Sequence, residues 1–134
     1  MTRIVVLSLL GAALLASCAE PQASAPLEEP RLQAASQGLC DAVVFASEGR
    51  LRDAAQVFDA ETHDYLHELA RMLQEVDPAA TADLLEAKEQ VESVLDIGAD
   101  PLAAQDLLVR LQRAMRDAAL AADLPTPLCR DGAA

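Results

Sequence analysis

The chain of 134 residues is strongly acidic, with 22 Asp and Glu against 10 Lys and Arg and a formal net charge of −12. This balance argues against nucleic acid as a partner and against a basic membrane-binding patch, because both need clustered cations. The length allows one domain, whose core is small enough to gain from a disulfide.

Residues 1–17 have the three parts of a secretory signal. Arg3 supplies positive charge, an apolar run extends to Leu15, and Ala16 and Ser17 are small residues that a signal peptidase accepts. The apolar run is shorter than the roughly 20 residues that a permanent membrane-spanning helix needs. An ordinary secretory signal and an uncleaved membrane anchor are the alternatives to a cleaved lipoprotein signal.

The stretch Leu15-Ala16-Ser17-Cys18 resembles the lipobox of bacterial lipoproteins. The resemblance implies cleavage before Cys18 and attachment of a diacylglyceryl group to that cysteine, often with a third acyl chain such as palmitate. Two or more chains give stable anchoring, so the resemblance implies an extracytoplasmic, periplasmic or cell-surface protein held on a membrane. With the helical pattern that follows, it also resembles small helical lipoproteins of high-GC bacteria, and this likeness transfers no functional residue.

Residues 18–30 form a segment without apolar periodicity. Pro21, Pro26 and Pro30 are interspersed with Ala, Ser and Glu. This composition predicts a disordered tether between the lipid and a domain that comprises residues 31–134.

The domain is predicted to be all-α, an antiparallel four-helix bundle. The first helix is expected at residues 31–47, where apolar residues recur at spacings of three and four, with Gly49 beyond its end. The second is expected as one continuous helix over residues 50–76, with a heptad-like apolar stripe. The members of that stripe are Leu51, Ala55, Phe58, Thr62, Tyr65, Leu69, Met72 and Val76.

Two Asp-Pro pairs predict the starts of the third and fourth helices. Asp77 and Asp100 are suited to accept hydrogen bonds from free backbone N–H groups, and the prolines that follow lose no bond at a first helical position. Gly98 is expected to end the third helix, and the fourth is expected to end near Ala122. Short connections favour antiparallel neighbours.

The predicted core consists mainly of Leu, Val and Ala, since Phe45, Phe58 and Tyr65 are the only aromatic residues. Many alanines allow helices to approach closely, which leaves little room for a large cofactor cavity. Lys88 lies near the apolar stripe of the third helix and is predicted to extend its amine to solvent, with Glu92 one turn further on.

The three cysteines, Cys18, Cys40 and Cys129, are an odd number for an exported protein. Lipidation of Cys18 leaves one pair, and an oxidising compartment favours a disulfide between Cys40 and Cys129. Two free thiols or a thiolate metal site are the alternatives, and no Cys-x-x-Cys spacing supports zinc or redox chemistry.

Both histidines, His63 and His67, lie on the predicted second helix. Their spacing puts the rings on one face one turn apart, and Asp59 extends the row one turn earlier. Relative to the apolar stripe, the histidines lie at the boundary to solvent and Asp59 lies at its edge. Such a row would bind Zn(II), Cu(II) or Ni(II), with water or another helix completing the shell. A solvated face and a pH-responsive partner contact are the alternatives.

No other pattern supports catalysis. A ferritin-like di-iron site needs histidines on two helices, and the sequence lacks haem-attachment, metalloprotease, nucleophile-elbow and Walker motifs. An acidic cluster on the third helix is predicted to be a solvated face, because calcium sites use loops of converging oxygens. The cluster comprises Asp83, Glu86, Glu89 and Glu92.

The sequence therefore predicts a non-catalytic binding or interaction module of the cell envelope, without a cofactor. Its partners are the membrane, through the lipid on Cys18, and an envelope protein. The alternative is a transition-metal-binding lipoprotein that uses Asp59, His63 and His67.

Overall fold

The computed structural model describes residues 29–97 and 100–130, with the side chain of Ile97 left aside. The signal, Cys18 and residues 19–28 of the predicted tether lie outside this range, whereas residues 29–30, also predicted as tether, already belong to the first helix. The described residues contain helices and no strand, which confirms the all-α prediction. They form α1 (Glu29–Ser47), α2 (Leu51–Val57), a π-helical segment (Phe58–Thr62), α3 (His63–Leu73), α4 (Pro78–Ile97) and α5 (Pro101–Ala121).

The helix ends follow the predicted capping residues. The side chain of Asp77 accepts a hydrogen bond from the Ala80 N–H at 2.9 Å, and Asp100 accepts one from the Leu102 N–H at 3.2 Å. Gly49 has a φ of +75°, and the Arg50 N–H donates to the Phe45 carbonyl at 2.8 Å, as in a Schellman motif. Local sequence therefore sets where α1 ends and where α4 and α5 begin.

The bundle is antiparallel, as predicted. α2, the π-helical segment and α3 follow one another as a single rod, which packs on α1. α4 packs on α3, and α5 packs against both α4 and α1 to complete the bundle. Along α1, Arg31 contacts Glu68 and Ala35 contacts Thr62, so the two chain directions are opposite. The core is made chiefly of Leu and Ala, with Phe58 and Tyr65 also buried. None of the described helices is long and apolar enough to cross a membrane.

The π-helical segment interrupts what the sequence predicts as a continuous α-helix. The turn is wider, with the His63 N–H bonded to the carbonyl of Phe58, and Phe58 and Thr62 are both buried in the core. The Thr62 hydroxyl donates to the Ala35 carbonyl at 2.9 Å. Gly38 of α1 lies against the segment so closely that an added Cβ would stand 2.5 Å from Glu61 Cβ. The segment is thus in close contact with α1.

The rod ends at Leu73, three residues earlier than predicted. The Leu73 carbonyl accepts bonds from the N–H groups of Val76 and Asp77, which turns the chain toward α4. Val76, predicted to be buried, is 70% exposed. The turn that leads into α4 therefore leaves Val76 exposed, although the apolar stripe predicts that it is buried.

Beyond α5, residues 122–130 run back along the bundle; we call this segment the strap. Asp123 adopts a positive φ of 55°, and the Leu124 N–H donates to the Ala119 carbonyl at 2.9 Å. The strap carries Cys129 to Cys40 of α1, and the two form a disulfide with Cα atoms 5.8 Å apart. The predicted pairing is confirmed.

Candidate functional site

The two histidines stand together at the start of α3. Their ring centres are 5.0 Å apart, with the rings nearly perpendicular, and Phe58 lies 6.2 Å from His63. The His63 side chain is 33% exposed and His67 is exposed, so both occupy the boundary position that the sequence predicts.

The closest carboxylate to His63 comes from another helix. His63 Nε2 lies 3.0 Å from Glu92 Oε1 of α4, and His63 Nδ1 lies 3.6 Å from Asp64 Oδ1. Asp59 is exposed and lies in the π-helical segment, and its carboxylate is not within 4.0 Å of either histidine ring nitrogen. Within residues 29–97 and 100–130, no three His, Cys, Asp or Glu side chains already stand in a metal-holding arrangement.

Glu92 also binds Lys88, the only lysine of the chain. Lys88 Nζ donates to Glu92 Oε1 at 2.6 Å, and the Lys88 side chain is only 5% exposed. The prediction that Lys88 extends to solvent is therefore wrong, because Glu92 supplies the counter-charge inside the α3–α4 contact. The spacing of Lys88 and Glu92 on one helix hints at this pair, whereas the link to His63 is tertiary and has no sequence signal.

Tyr65 and Arg31 form a second polar group at the α1–α3 contact. Tyr65 is buried, its hydroxyl has no hydrogen-bond partner among the described residues, and burial raises its pKa to about 12. The Arg31 guanidinium lies 5.9 Å from the Tyr65 ring centre and 2.7 Å from a Glu68 oxygen. The hydrogen bond from Arg31 holds the pKa of Glu68 below its usual value.

Two open grooves flank α1 where the strap crosses it. One, of about 500 Å³, runs between α1 and the π-helical segment, and its walls include Gly38 and Glu61. The other, of about 430 Å³, lies on the α5 side of α1, and its walls include three apolar residues and the disulfide. The apolar residues are Val43, Val44 and Phe45.

The grooves share three lining residues, Gln37, Asp41 and Arg130. We call these three residues the crest. The Gln37 side-chain amide donates to Asp41 Oδ1 at 2.9 Å, and the Gln37 side-chain oxygen accepts a hydrogen bond from the Arg130 backbone N–H at 2.9 Å. Gln33 adds a bond to the Leu128 carbonyl at 2.7 Å. These contacts and the disulfide fix the strap as a wall of both grooves. The grooves have no signal in the sequence, because the strap and α1 are about ninety residues apart.

Comparison with known proteins gives no match, whether to protein-family models, to curated proteins or to solved structures.

Proposed function

We propose that this protein is a lipid-anchored, non-catalytic binding module on the extracytoplasmic face of a bacterial membrane. The observation that carries the proposal is the Cys40–Cys129 disulfide. Disulfides persist in oxidising compartments and are rare in the bacterial cytosol. A bridge between these two cysteines also leaves Cys18 as the one remaining thiol, at the position where a lipobox carries its lipid.

The grooves beside the strap are the proposed binding surface. They combine apolar walls with the hydrogen-bonding crest of Gln37, Asp41 and Arg130, a mixture typical of sites for a protein segment. Val44 is 51% exposed on the wall of the second groove. We therefore propose an envelope protein as partner, with an apolar side chain of that partner seated near Val44.

Membrane fractionation tests the anchor. Cys18→Ser should move the protein from the membrane fraction to the soluble extracytoplasmic fraction, because the acidic domain offers no patch that attracts anionic lipids. Cys129→Ser, which removes a cysteine but leaves the lipobox intact, is the matched control and should stay on the membrane. Membrane retention of the Cys18→Ser protein would contradict the proposal.

Cross-linking in intact envelopes tests the binding surface. The wild type should give a discrete adduct with one envelope protein, and Val44→Glu should abolish it by placing a charge in the groove. Leu102→Glu is the control, since Leu102 is also apolar and 69% exposed but lies at the start of α5, outside both grooves. Equal amounts of adduct from the two variants, or no adduct from the wild type, would contradict a partner bound in the groove.

A second function, capture of a transition metal ion, is favoured by the pairing of His63 and His67. Their ring centres lie 5.0 Å apart, and imidazole pairs one helical turn apart suit Zn(II), Cu(II) and Ni(II). Titration of the wild type and of the His63→Ala/His67→Ala variant with each ion tests it. Saturable binding that the variant lacks would support this function, and equal weak binding by both would refute it.

A further inference from the structure

We propose that Glu92 of α4 is the third protein ligand of a transition-metal site with His63 and His67, and that Asp59 has no part in it. The proposal rests on the second function above and specifies its ligand set. Two imidazoles and one carboxylate suit Zn(II), Cu(II) and Ni(II), and Cu(II) is the probe ion because its spectrum reports its ligands. The two helices α3 and α4 would then be joined by the metal ion.

The first step is the separation of two of the ligand atoms. His63 Nε2 and Glu92 Oε1 are 3.0 Å apart. Nitrogen and oxygen ligands that bind one ion at about 2.0–2.1 Å stand roughly 2.9 Å apart at a right angle and about 3.4 Å apart at a tetrahedral angle. The observed distance lies in the range that two ligands of one ion occupy, so Glu92 can bind an ion beside His63 with little movement.

The second step is the position of His67. Two imidazoles on one ion have ring centres roughly 4.5–5.3 Å apart, given the same metal–nitrogen distance, and the observed separation is 5.0 Å. The rings meet edge to face, so His67 must turn about its side-chain bonds to direct a nitrogen at the ion. Its ring is exposed, and exposed side chains change rotamer within nanoseconds.

The third step is the surroundings of the ligands. A metal-binding imidazole usually donates its other N–H to a carboxylate, and Asp64 Oδ1 stands 3.6 Å from His63 Nδ1, a short movement from hydrogen-bond distance. Ligating carboxylates are themselves held by hydrogen bonds, and Lys88 Nζ holds Glu92 at 2.6 Å. The two ligands that come from different helices therefore both have supporting partners.

Asp59 lacks these features. It is exposed, and the carboxylates within 4.0 Å of His63 are those of Asp64 and Glu92 rather than that of Asp59. The sequence row and the structure therefore name different carboxylates for the same two histidines, and substitution separates them.

The experiment is titration of the full oxidised protein, purified with its lipid in detergent, with Cu(II), followed by calorimetry and by electron paramagnetic resonance. The wild type is compared with Glu92→Gln, Asp59→Asn and His63→Ala/His67→Ala. Glu92→Gln should weaken binding at least tenfold and change the copper spectrum, since it loses an anionic oxygen ligand but keeps an acceptor for Lys88. Asp59→Asn should bind within twofold of the wild type with an unchanged spectrum.

A further variant separates loss of metal binding from loss of folding. Lys88→Met/Glu92→Gln removes the carboxylate together with its buried partner charge, and circular dichroism verifies its helices. It should bind Cu(II) as weakly as Glu92→Gln does. If the histidine variant binds like the wild type, the metal function itself fails. If that variant loses binding while Glu92→Gln keeps it, the histidines bind metal and the role of Glu92 is refuted. Loss of binding in Asp59→Asn would also overturn the proposal.

Discussion

Two seams of the bundle are closed in opposite ways. Between α1 and α5, the strap is held by a disulfide and by hydrogen bonds between its backbone and the side chains of Gln33 and Gln37. Between α3 and α4, Lys88, Glu92 and His63 form a chain of charged and polar contacts, with Lys88 almost wholly buried. The first seam depends on a covalent bond, and the second depends on charged side chains that compensate each other.

The difference determines how each seam contributes to stability. The disulfide acts mainly by restricting the unfolded chain. A buried ion pair gains little over a hydrophobic pair, but loss of one partner leaves a charge without compensation. At the first seam, loss of either cysteine should therefore cost about as much as loss of both, whereas at the second seam loss of one charge should cost more than loss of both.

The largest effect is expected from opening the covalent seam. Cys40→Ala/Cys129→Ala should lower the free energy of unfolding by about 4 kcal/mol, because the bridge closes a loop with a sequence separation of 89. Urea unfolding measures the loss. The wild type unfolded under reducing conditions should show a similar loss, and an unchanged midpoint in both cases would mean that the strap contributes nothing to stability.

At the charged seam, a single substitution should cost more stability than the double substitution. Glu92→Leu leaves the Lys88 ammonium buried without a partner and should cost about 3 kcal/mol. Lys88→Met/Glu92→Leu removes both charges, so its free energy of unfolding should be within about 1 kcal/mol of the wild-type value, or higher. A double-mutant cycle measured by urea unfolding gives the coupling. Additive losses would show that the pair is not coupled and would break the contrast with the disulfide seam.

A third contact of α1 sharpens the comparison, since it depends on shape alone. Gly38→Ala should cost about 2 kcal/mol, because the new Cβ would meet backbone-proximal atoms of the π-helical segment, Glu61 Cβ at 2.5 Å and Thr62 Oγ1 at 2.9 Å. Ala34→Ser, at an exposed site one turn earlier, is the control and should change stability by less than about 0.5 kcal/mol. Equal thermal midpoints for the two variants would show that α1 yields easily at this contact.

The smallest effect should be a gain, at Tyr65 of α3. Its buried hydroxyl has no hydrogen-bond partner among the described residues, so Tyr65→Phe should stabilise the protein by about 1 kcal/mol. The raised pKa, about 12 against 10 in the unfolded chain, means that the folded state keeps the phenol proton longer. Wild-type stability should therefore fall as pH rises from about 10 to about 12.

The Phe variant should lose that part of the alkaline slope, and both properties follow from urea unfolding at several pH values. A destabilised Tyr65→Phe protein would mean that the hydroxyl has a favourable contact after all.

Local chemistry made much of the fold predictable. The Asp-Pro pairs and Gly49 determine helix ends through neighbouring backbone groups, and apolar spacing sets the buried faces of α1, α4 and α5. The π-helical segment was not predictable, because it arises where Gly38 and Thr62 bring two helices unusually close. The exposure of Val76 escaped prediction for a related reason, since the turn into α4 overrides the stripe.

The candidate sites divide in the same way. The spacing of His63 and His67 is local, and the sequence placed both correctly at the solvent boundary. Glu92 and the strap grooves depend on contacts between distant segments, for which a single sequence has no periodic signal. Lys88 shows the limit most clearly, because its burial depends on a tertiary arrangement in which one carboxylate serves two partners.

The intact mass of the protein extracted from bacterial membranes tests the central claim most directly. A lipid-anchored, disulfide-closed domain predicts a chain that begins at Cys18, carries a diacylglyceryl group and has the mass of one disulfide between Cys40 and Cys129. A chain that retains Met1, or that ends its processing without lipid on Cys18, or that keeps two free thiols would contradict it.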